Sequence, residues 1–246
     1  MITASETPGF VPVFEWPNLE ALAVGYNEHL MAESHKLTGK RLTLVIAGAD
    51  PTRIAHHFLD DGNLEWEIQG TERTGIAQFR AFEVRPDIFF VDFYKPEYQE
   101  EVSLVINLRT GQAIVGLPGF HFKGGQKRTW TRFSDASIDG YSNVAPFVPT
   151  EDLIGKHILY RYTLRDAYEH IYLNQGTFTW MLFWSEKIMP IEAIVIVDLE
   201  HMRSTGWFFC WDPKPAKLVQ MSFGSYATVL AETDAAGALG LRKSNV

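Results

Sequence analysis

From Arg41 onward the sequence has no stretch with helical spacing. It is a succession of short runs rich in Val, Ile, Phe, Tyr and Trp, broken by turn signals such as Asp60-Asp61-Gly62-Asn63, Arg109-Thr110-Gly111 and Asn174-Gln175-Gly176. Branched and aromatic side chains suit a pleated surface, and Gly, Asn and Asp supply tight reversals, so the pattern predicts antiparallel β structure. The expected strands are 42–47, 54–60, 64–70, 76–84, 88–95, 102–107 and 112–117, then 157–163, 168–173, 177–184, 192–198, 206–211, 217–223 and 225–230. Ahead of them, Leu19, Leu22, Ala23, Tyr26, Leu30 and Met31 recur at helical spacing after Pro17. That predicts one amphipathic helix over Asn18 to Glu33.

The two β regions resemble each other. Gly39-Lys40-Arg41-Leu42 opens the first and Gly155-Lys156-His157-Ile158 the second. Past a two-residue gap, His56-His57-Phe58-Leu59 matches His170-Ile171-Tyr172-Leu173, and Leu64-Glu65-Trp66 matches Phe178-Thr179-Trp180. An internal duplication follows. Between the copies, Lys123-Gly124-Gly125-Gln126-Lys127-Arg128 and its Ser- and Pro-rich sequel read as a long loop or linker, or as a flap over a barrel mouth. The expected organisation is an N-terminal segment with the helix (1–38), a first β-barrel-like repeat (39–119), a loop or linker (120–150) and a second β-barrel-like repeat (151–246), the halves forming either two small barrels or one enlarged barrel.

Composition excludes several partners. Of 246 residues, 46% are hydrophobic, enough to bury a core, and 22 basic against 30 acidic residues leave a net charge of −8, which disfavours nucleic acid. No apolar run is long enough to span a membrane as a helix. A single cysteine, Cys210, and an opening Met1-Ile2-Thr3-Ala4-Ser5-Glu6 without a basic start and apolar core predict a cytoplasmic protein. A small molecule is the expected partner, and a homodimer is compatible with the composition. No Gly-rich phosphate loop, GxSxG elbow or metal-ligand spacing occurs, so neither a cofactor nor a metal is expected.

Strand alternation selects candidate site residues, because side chains in a closed barrel point alternately in and out. Ile158, Tyr160 and Tyr162 share one face. In the next strand Glu169, Ile171 and Leu173 share a face, and if the aliphatic pair turns inward the Glu169 carboxylate goes with it, where its pKa would rise. The repeat sets His57 beside Ile171 and Trp66 beside Trp180. Phe89, Val91, Phe93 and Lys95 share a face of the fifth strand. Each has a plainer reading: the tyrosines as core residues with satisfied hydroxyls, Glu169 as a solvated carboxylate, Lys95 as a strand end before Pro96.

Two segments carry a resemblance. Ile154-Gly155-Lys156-His157-Ile158-Leu159-Tyr160-Arg161-Tyr162, with His170-Ile171-Tyr172-Leu173-Asn174 and Thr177-Phe178-Thr179-Trp180, resembles the opening strands of phenolic acid decarboxylases, which are lipocalin-like calycin barrels. The resemblance implies that Tyr160 and Tyr162 bind a substrate carboxylate. Val91-Asp92-Phe93-Tyr94-Lys95-Pro96 is similar to the strand that carries that family's catalytic glutamate, with Lys95 in its place. The whole chain, from Phe10-Val11-Pro12-Val13-Phe14-Glu15-Trp16-Pro17 through both β halves, resembles the MoaF family, which is labelled with molybdenum cofactor biosynthesis.

The expectation is therefore an all-β, lipocalin- or calycin-like antiparallel barrel with internal duplication and an N-terminal helix. The expected function is a cofactor-independent lyase or isomerase acting on a small aromatic or phenolic compound in a barrel cavity. Tyr160, Tyr162, Glu169 and His57 are its candidate catalytic residues, and Trp66, Phe93, Lys95, Ile171 and Trp180 its candidate substrate-binding residues. The alternatives are a non-catalytic carrier of a small hydrophobic ligand, or an accessory protein of molybdenum cofactor biosynthesis.

Overall fold

Runs of β-branched and aromatic residues joined by tight turns satisfy their backbone by pairing each strand with its neighbour. The computed structural model describes residues 25–123, 126–164, 166–174, 177–180, 191–212 and 217–233. In it β1 (Arg41–Ile46), β2 (Thr52–Phe58), β3 (Asn63–Ile68), β4 (Thr74–Arg85), β5 (Ile88–Lys95), β6 (Glu100–Asn107), β7 (Gln112–Lys123) and β8 (Gln126–Ile138) form a closed antiparallel barrel in simple sequential order. A six-stranded antiparallel sheet follows, built from β9 (Lys156–Arg161), β10 (Ala167–Asn174), β11 (Thr177–Trp180), β12 (Ile191–Asp198), β13 (Arg203–Asp212) and β14 (Lys217–Glu232), in the order β11-β10-β9-β14-β13-β12. The closed, meandering eight-stranded barrel is the calycin arrangement expected from the sequence. No helix of the described residues is long and apolar enough to cross a membrane.

The duplication survives in the hydrogen bonding. Gly39 and Gly155 both take the left-handed conformation, with φ of 78° and 81°. The Gly39 amide donates to the Phe58 carbonyl and the Gly155 amide to that of Tyr172, the matching position. One residue on, Lys40 and Lys156 donate to Leu37 and Leu153. The registers agree as well: Leu42 faces His56 and His56 faces Trp66 in the barrel, as Ile158 faces His170 and His170 faces Trp180 in the sheet.

Three expectations need correction. Of the predicted helix over Asn18 to Glu33, residues 18–24 lie outside the described part, and from Gly25 the chain is a turn followed by residues in neither helix nor strand. The apolar residues at helical spacing serve separate cores: Tyr26 packs with Tyr160 and Tyr162, Leu30 and Met31 with Phe82 and Phe90, and Leu37 inside the barrel. The expected linker 120–150 contains β8, which closes the barrel against β1 by pairing Leu44 with Ile138 and Ile46 with Ala136. Its inward positions Ser134 and Ala136 are too small to show a strand signature. The strands expected at 217–223 and 225–230 are one, because Gly224 continues the ladder where the backbone of His29 and Leu30 comes close.

β5 connects the two units. Phe89, Val91 and Phe93 belong to the barrel core, while Phe90 faces outward onto Phe82 and Ile194. Tyr94 meets Phe209 with ring centroids 6.1 Å apart, and the Arg85 guanidinium grips both oxygens of Asp198 at 2.6 and 2.9 Å. A strand buried on both faces reads as a near-continuous apolar run, as Ile88-Phe89-Phe90-Val91 does.

Candidate functional site: the barrel cavity

Alternation along β2, β3 and β5 brings His56, Trp66, Phe93 and Lys95 to one cavity of about 500 Å³ inside the barrel. Aliphatic side chains, among them Ile54, Val102, Leu104 and Val115, complete its wall. One end is closed by Leu37, Leu44, Phe58 and Leu64, all wholly buried. Thr71, Arg73 and Arg132 stand among the lining residues nearer solvent.

Lys95 is the charged group at the centre. It is 7% exposed, so the plainer reading as a solvated strand end does not hold. Its Nζ donates to Glu100 Oε2 at 2.6 Å and lies 4.7 Å from the Trp66 ring centroid. A buried ammonium over an indole face gains about 2 kcal/mol, which helps offset its desolvation. Tyr98, in the 3-10 turn Pro96–Tyr98 between β5 and β6, stacks edge-on against Trp66 and carries the Arg73 guanidinium 4.6 Å above its own ring.

His56 is 3% exposed and its Nδ1 has no hydrogen-bond partner. Burial, helped by the nearby Lys95 charge, pushes its pKa down to about 4 against the pull of the Ile54 and Leu42 carbonyls, so the ring is neutral at pH 7. Behind the wall, on the outer faces of β5 and β6, Asp92 and Glu101 are 1% and 0% exposed. Ser103 donates to Asp92 Oδ1 at 3.0 Å, while Asp92 Oδ2 and both Glu101 oxygens lack a partner; the Trp207 indole N–H, beside Glu101, stops short of hydrogen-bond geometry. Burial raises both carboxyls well above the ordinary range.

The sequence-derived candidates divide between two places. Trp66, Phe93 and Lys95 meet in the barrel. Tyr160 and Tyr162 lie in the second sheet, among Tyr26, Tyr168, Tyr172 and Phe223. Hydroxyls pair there, Tyr160 with Tyr172 at 2.8 Å and Tyr26 with Tyr168 at 2.7 Å, and burial raises the Tyr26, Tyr160 and Tyr162 phenols above their usual range. Glu169 does not join them. Tyr168 pairs with Tyr160 and His170 with Ile158, so Tyr168, His170 and Tyr172 take that face while Glu169 and Ile171 take the other. Glu169 instead bonds His157 Nδ1 at 3.0 Å and stays 27% exposed, which spares the cost of burying an unpaired carboxylate. His57 is likewise on the outside, bonded to Glu65 at 2.8 Å, and its neighbour His56 points inward. Trp180 pairs with His170 across β10 and β11, and its side chain lies outside the described residues. The residues missed were His56, Arg73, Glu100 and Arg132; the inward parity of Trp66 and its register with His56 was the signal for the first.

A second hollow of about 410 Å³ lies where the barrel meets the sheet, near Lys36, Arg85, Asp198 and His201. Its polar groups are already engaged: Lys36 with Glu83, Arg85 with Asp198 and Glu200, His201 with Asp198, and Arg203 donating to the His29 carbonyl. The barrel cavity, with an orphaned imidazole nitrogen and unmatched cations, offers more to a ligand.

The model of the MoaF N-terminal domain matches residues 14–122, and that of the MoaF C-terminal domain matches 147–181 and 180–233. The chain belongs to the MoaF family. Protein MoaF of Klebsiella aerogenes is 28% identical to it over 228 aligned residues, covering 76% of this chain and 84% of that protein. In this MoaF chain the N-terminal match holds β1 to β7 and most of the cavity, and the closing strand β8, with Arg132, falls between the two matches.

One glycine in the MoaF barrel shapes the cavity. Gly75 pairs with Trp66, and a Cβ there would meet the indole at 2.9 Å. Gly75→Ala is expected to push the indole off its seat and to cost about 1–3 kcal/mol. Urea unfolding measures the cost, and near-ultraviolet circular dichroism reports the displaced tryptophan.

Proposed function

We propose that this MoaF protein binds a small aromatic compound inside the β1–β8 barrel, as a carrier rather than a lyase or isomerase. The observation that supports it is the convergence of Trp66, Phe93, His56 and Lys95 on one apolar cavity of about 500 Å³, the size and lining of a small-molecule site. A general base works best with a pKa near the operating pH, and His56 at about 4 is far below it. Lys95 is held by Glu100 and stands as a binding group. The accessory role in molybdenum cofactor biosynthesis suggested by the family's label would use the same cavity.

Titration with the uncharged fluorophore N-phenyl-1-naphthylamine tests the reading. One saturable site is expected. Trp66→Leu keeps an apolar wall but removes an aromatic contact of about 0.5–1.5 kcal/mol, a loss of several-fold in affinity. Phe90→Leu, on the outside of the barrel, is expected to leave binding unchanged. Absence of a saturable site, or equal affinity in Trp66→Leu, sinks the proposal.

A further inference from the structure

The cavity's charge runs against that of the protein. The chain carries a net charge of −8, yet the residues lining this cavity include three cations, Arg73, Lys95 and Arg132, and one carboxylate, Glu100. That leaves a formal excess of two positive charges: Lys95 is buried, where a charge acts more strongly than in water, and Arg73 and Arg132 are exposed at the mouth. Neither Arg73 nor Arg132 is in an ion pair with a described residue. The two other carboxyls of the wall, Asp92 and Glu101, are turned to its outer side, away from the cavity lining, and burial raises both above the ordinary carboxyl range.

The polar groups inside are arranged for a ligand with one charged end. Lys95 has three N–H donors, and Glu100 is its one hydrogen-bonded carboxylate. His56 Nδ1, buried and unpartnered, is a second polar point in the same cavity. Trp66 and Phe93 add aromatic surface to the same lining. Burying an anion is costly unless cations meet it, and Lys95, with Arg73 and Arg132 at the mouth, supplies them here.

We propose that the barrel selects a flat aromatic compound bearing one anionic group, a carboxylate or a phosphate, seated on Lys95 with Arg73 and Arg132 guarding its entry. The inference rests on the barrel being the ligand site. Glu100 shares Lys95 with the incoming anion or gives it up, and the two arginines replace the charge that Glu100 withdraws. Selection then comes from the attraction that the excess positive charge gives to an anion and not to a neutral ligand, a difference of affinities rather than a tight fit.

Isothermal titration calorimetry of the full chain with 2-naphthoate, 1-naphthyl phosphate and 2-naphthamide tests it. At least a tenfold preference for one of the anions over the amide is expected, and the tighter of the two distinguishes carboxylate from phosphate. The preference is expected to fall at least fivefold in Lys95→Met, to persist in Lys95→Arg, and to weaken with added salt in the native chain. Arg73→Gln with Arg132→Gln, both at the solvated end, is expected to reduce it also, and keeps the test valid if Lys95→Met does not fold. Equal binding of acids and amide overturns this inference while the barrel reading stands. Binding of none of the three, together with no saturable N-phenyl-1-naphthylamine site, overturns both.

Discussion

A double variant, Asp92→Asn with Glu101→Gln, is expected to gain stability relative to the native chain as pH rises from 4 to 9. Both carboxyls are buried between barrel and sheet, and burial raises both above the ordinary range; for Glu101 the neighbouring Asp92 adds to it. The unfolded chain releases these protons near their ordinary values of about 4, whereas the folded chain keeps them to higher pH. Between the two, the folded state binds more protons, so native stability falls as pH rises. Both shifts have the same sign, so the stability difference between variant and native chain is expected to grow steadily in the variant's favour as pH rises above about 4. His56 and His170, both lowered to about 4, act in the opposite sense between about 4 and 6.5, but do so equally in both chains and cancel in the comparison. The side-chain amide introduced by Glu101→Gln adds an unpaired donor at every pH, so the growth of the difference with pH is the quantity to read. Urea unfolding at successive pH values measures it, and a difference that stays constant across the range would refute the account.

Phe90→Ala is expected to cost about 3–5 kcal/mol, the range for truncating a wholly buried aromatic. Phe90 is 0% exposed and fills the contact with Phe82 and Ile194, where the barrel wall meets β12. Because it points away from the cavity, the folded fraction is expected to bind N-phenyl-1-naphthylamine as the native chain does. Phe93→Ala, three residues along on the inner face, is expected to weaken that binding. Equilibrium unfolding with fluorescence titration separates the two effects, and loss of binding in Phe90→Ala at temperatures where it is folded would show that the wall is not independent of the interface.

Local chemistry in the sequence was enough for the β class and the duplication. The runs of Val, Ile, Phe and Trp, and the turns between them, act over a few residues, so the first seven strands fall close to their expected places. Gly39 and Gly155, Phe58 and Tyr172, and Trp66 and Trp180 are equivalent in structure as they are in sequence. Alternation also placed Phe89, Val91, Phe93 and Lys95 on one face, because the period of two is a property of any strand.

Which face turns inward was another matter. The expected inward set of β10 was Glu169 and Ile171, and the observed one is Tyr168, His170 and Tyr172, since pairing hydroxyls inside a tyrosine cluster is cheaper than burying a lone carboxylate. The same choice of parity set His56 rather than His57 in the barrel. β8 was unreadable because closure of the ring, not its own composition, makes residues 126–138 a strand. The segment after Gly25 has helical spacing but forms no helix, because its apolar residues are claimed by cores on two different units. Arg73, Glu100 and Arg132 come from separate loops and strands, and only barrel closure brings their charges to the mouth that Lys95 faces. Sequence periodicity is local, whereas side-chain facing, closure and the field in a cavity are decided by contacts between residues far apart in the chain.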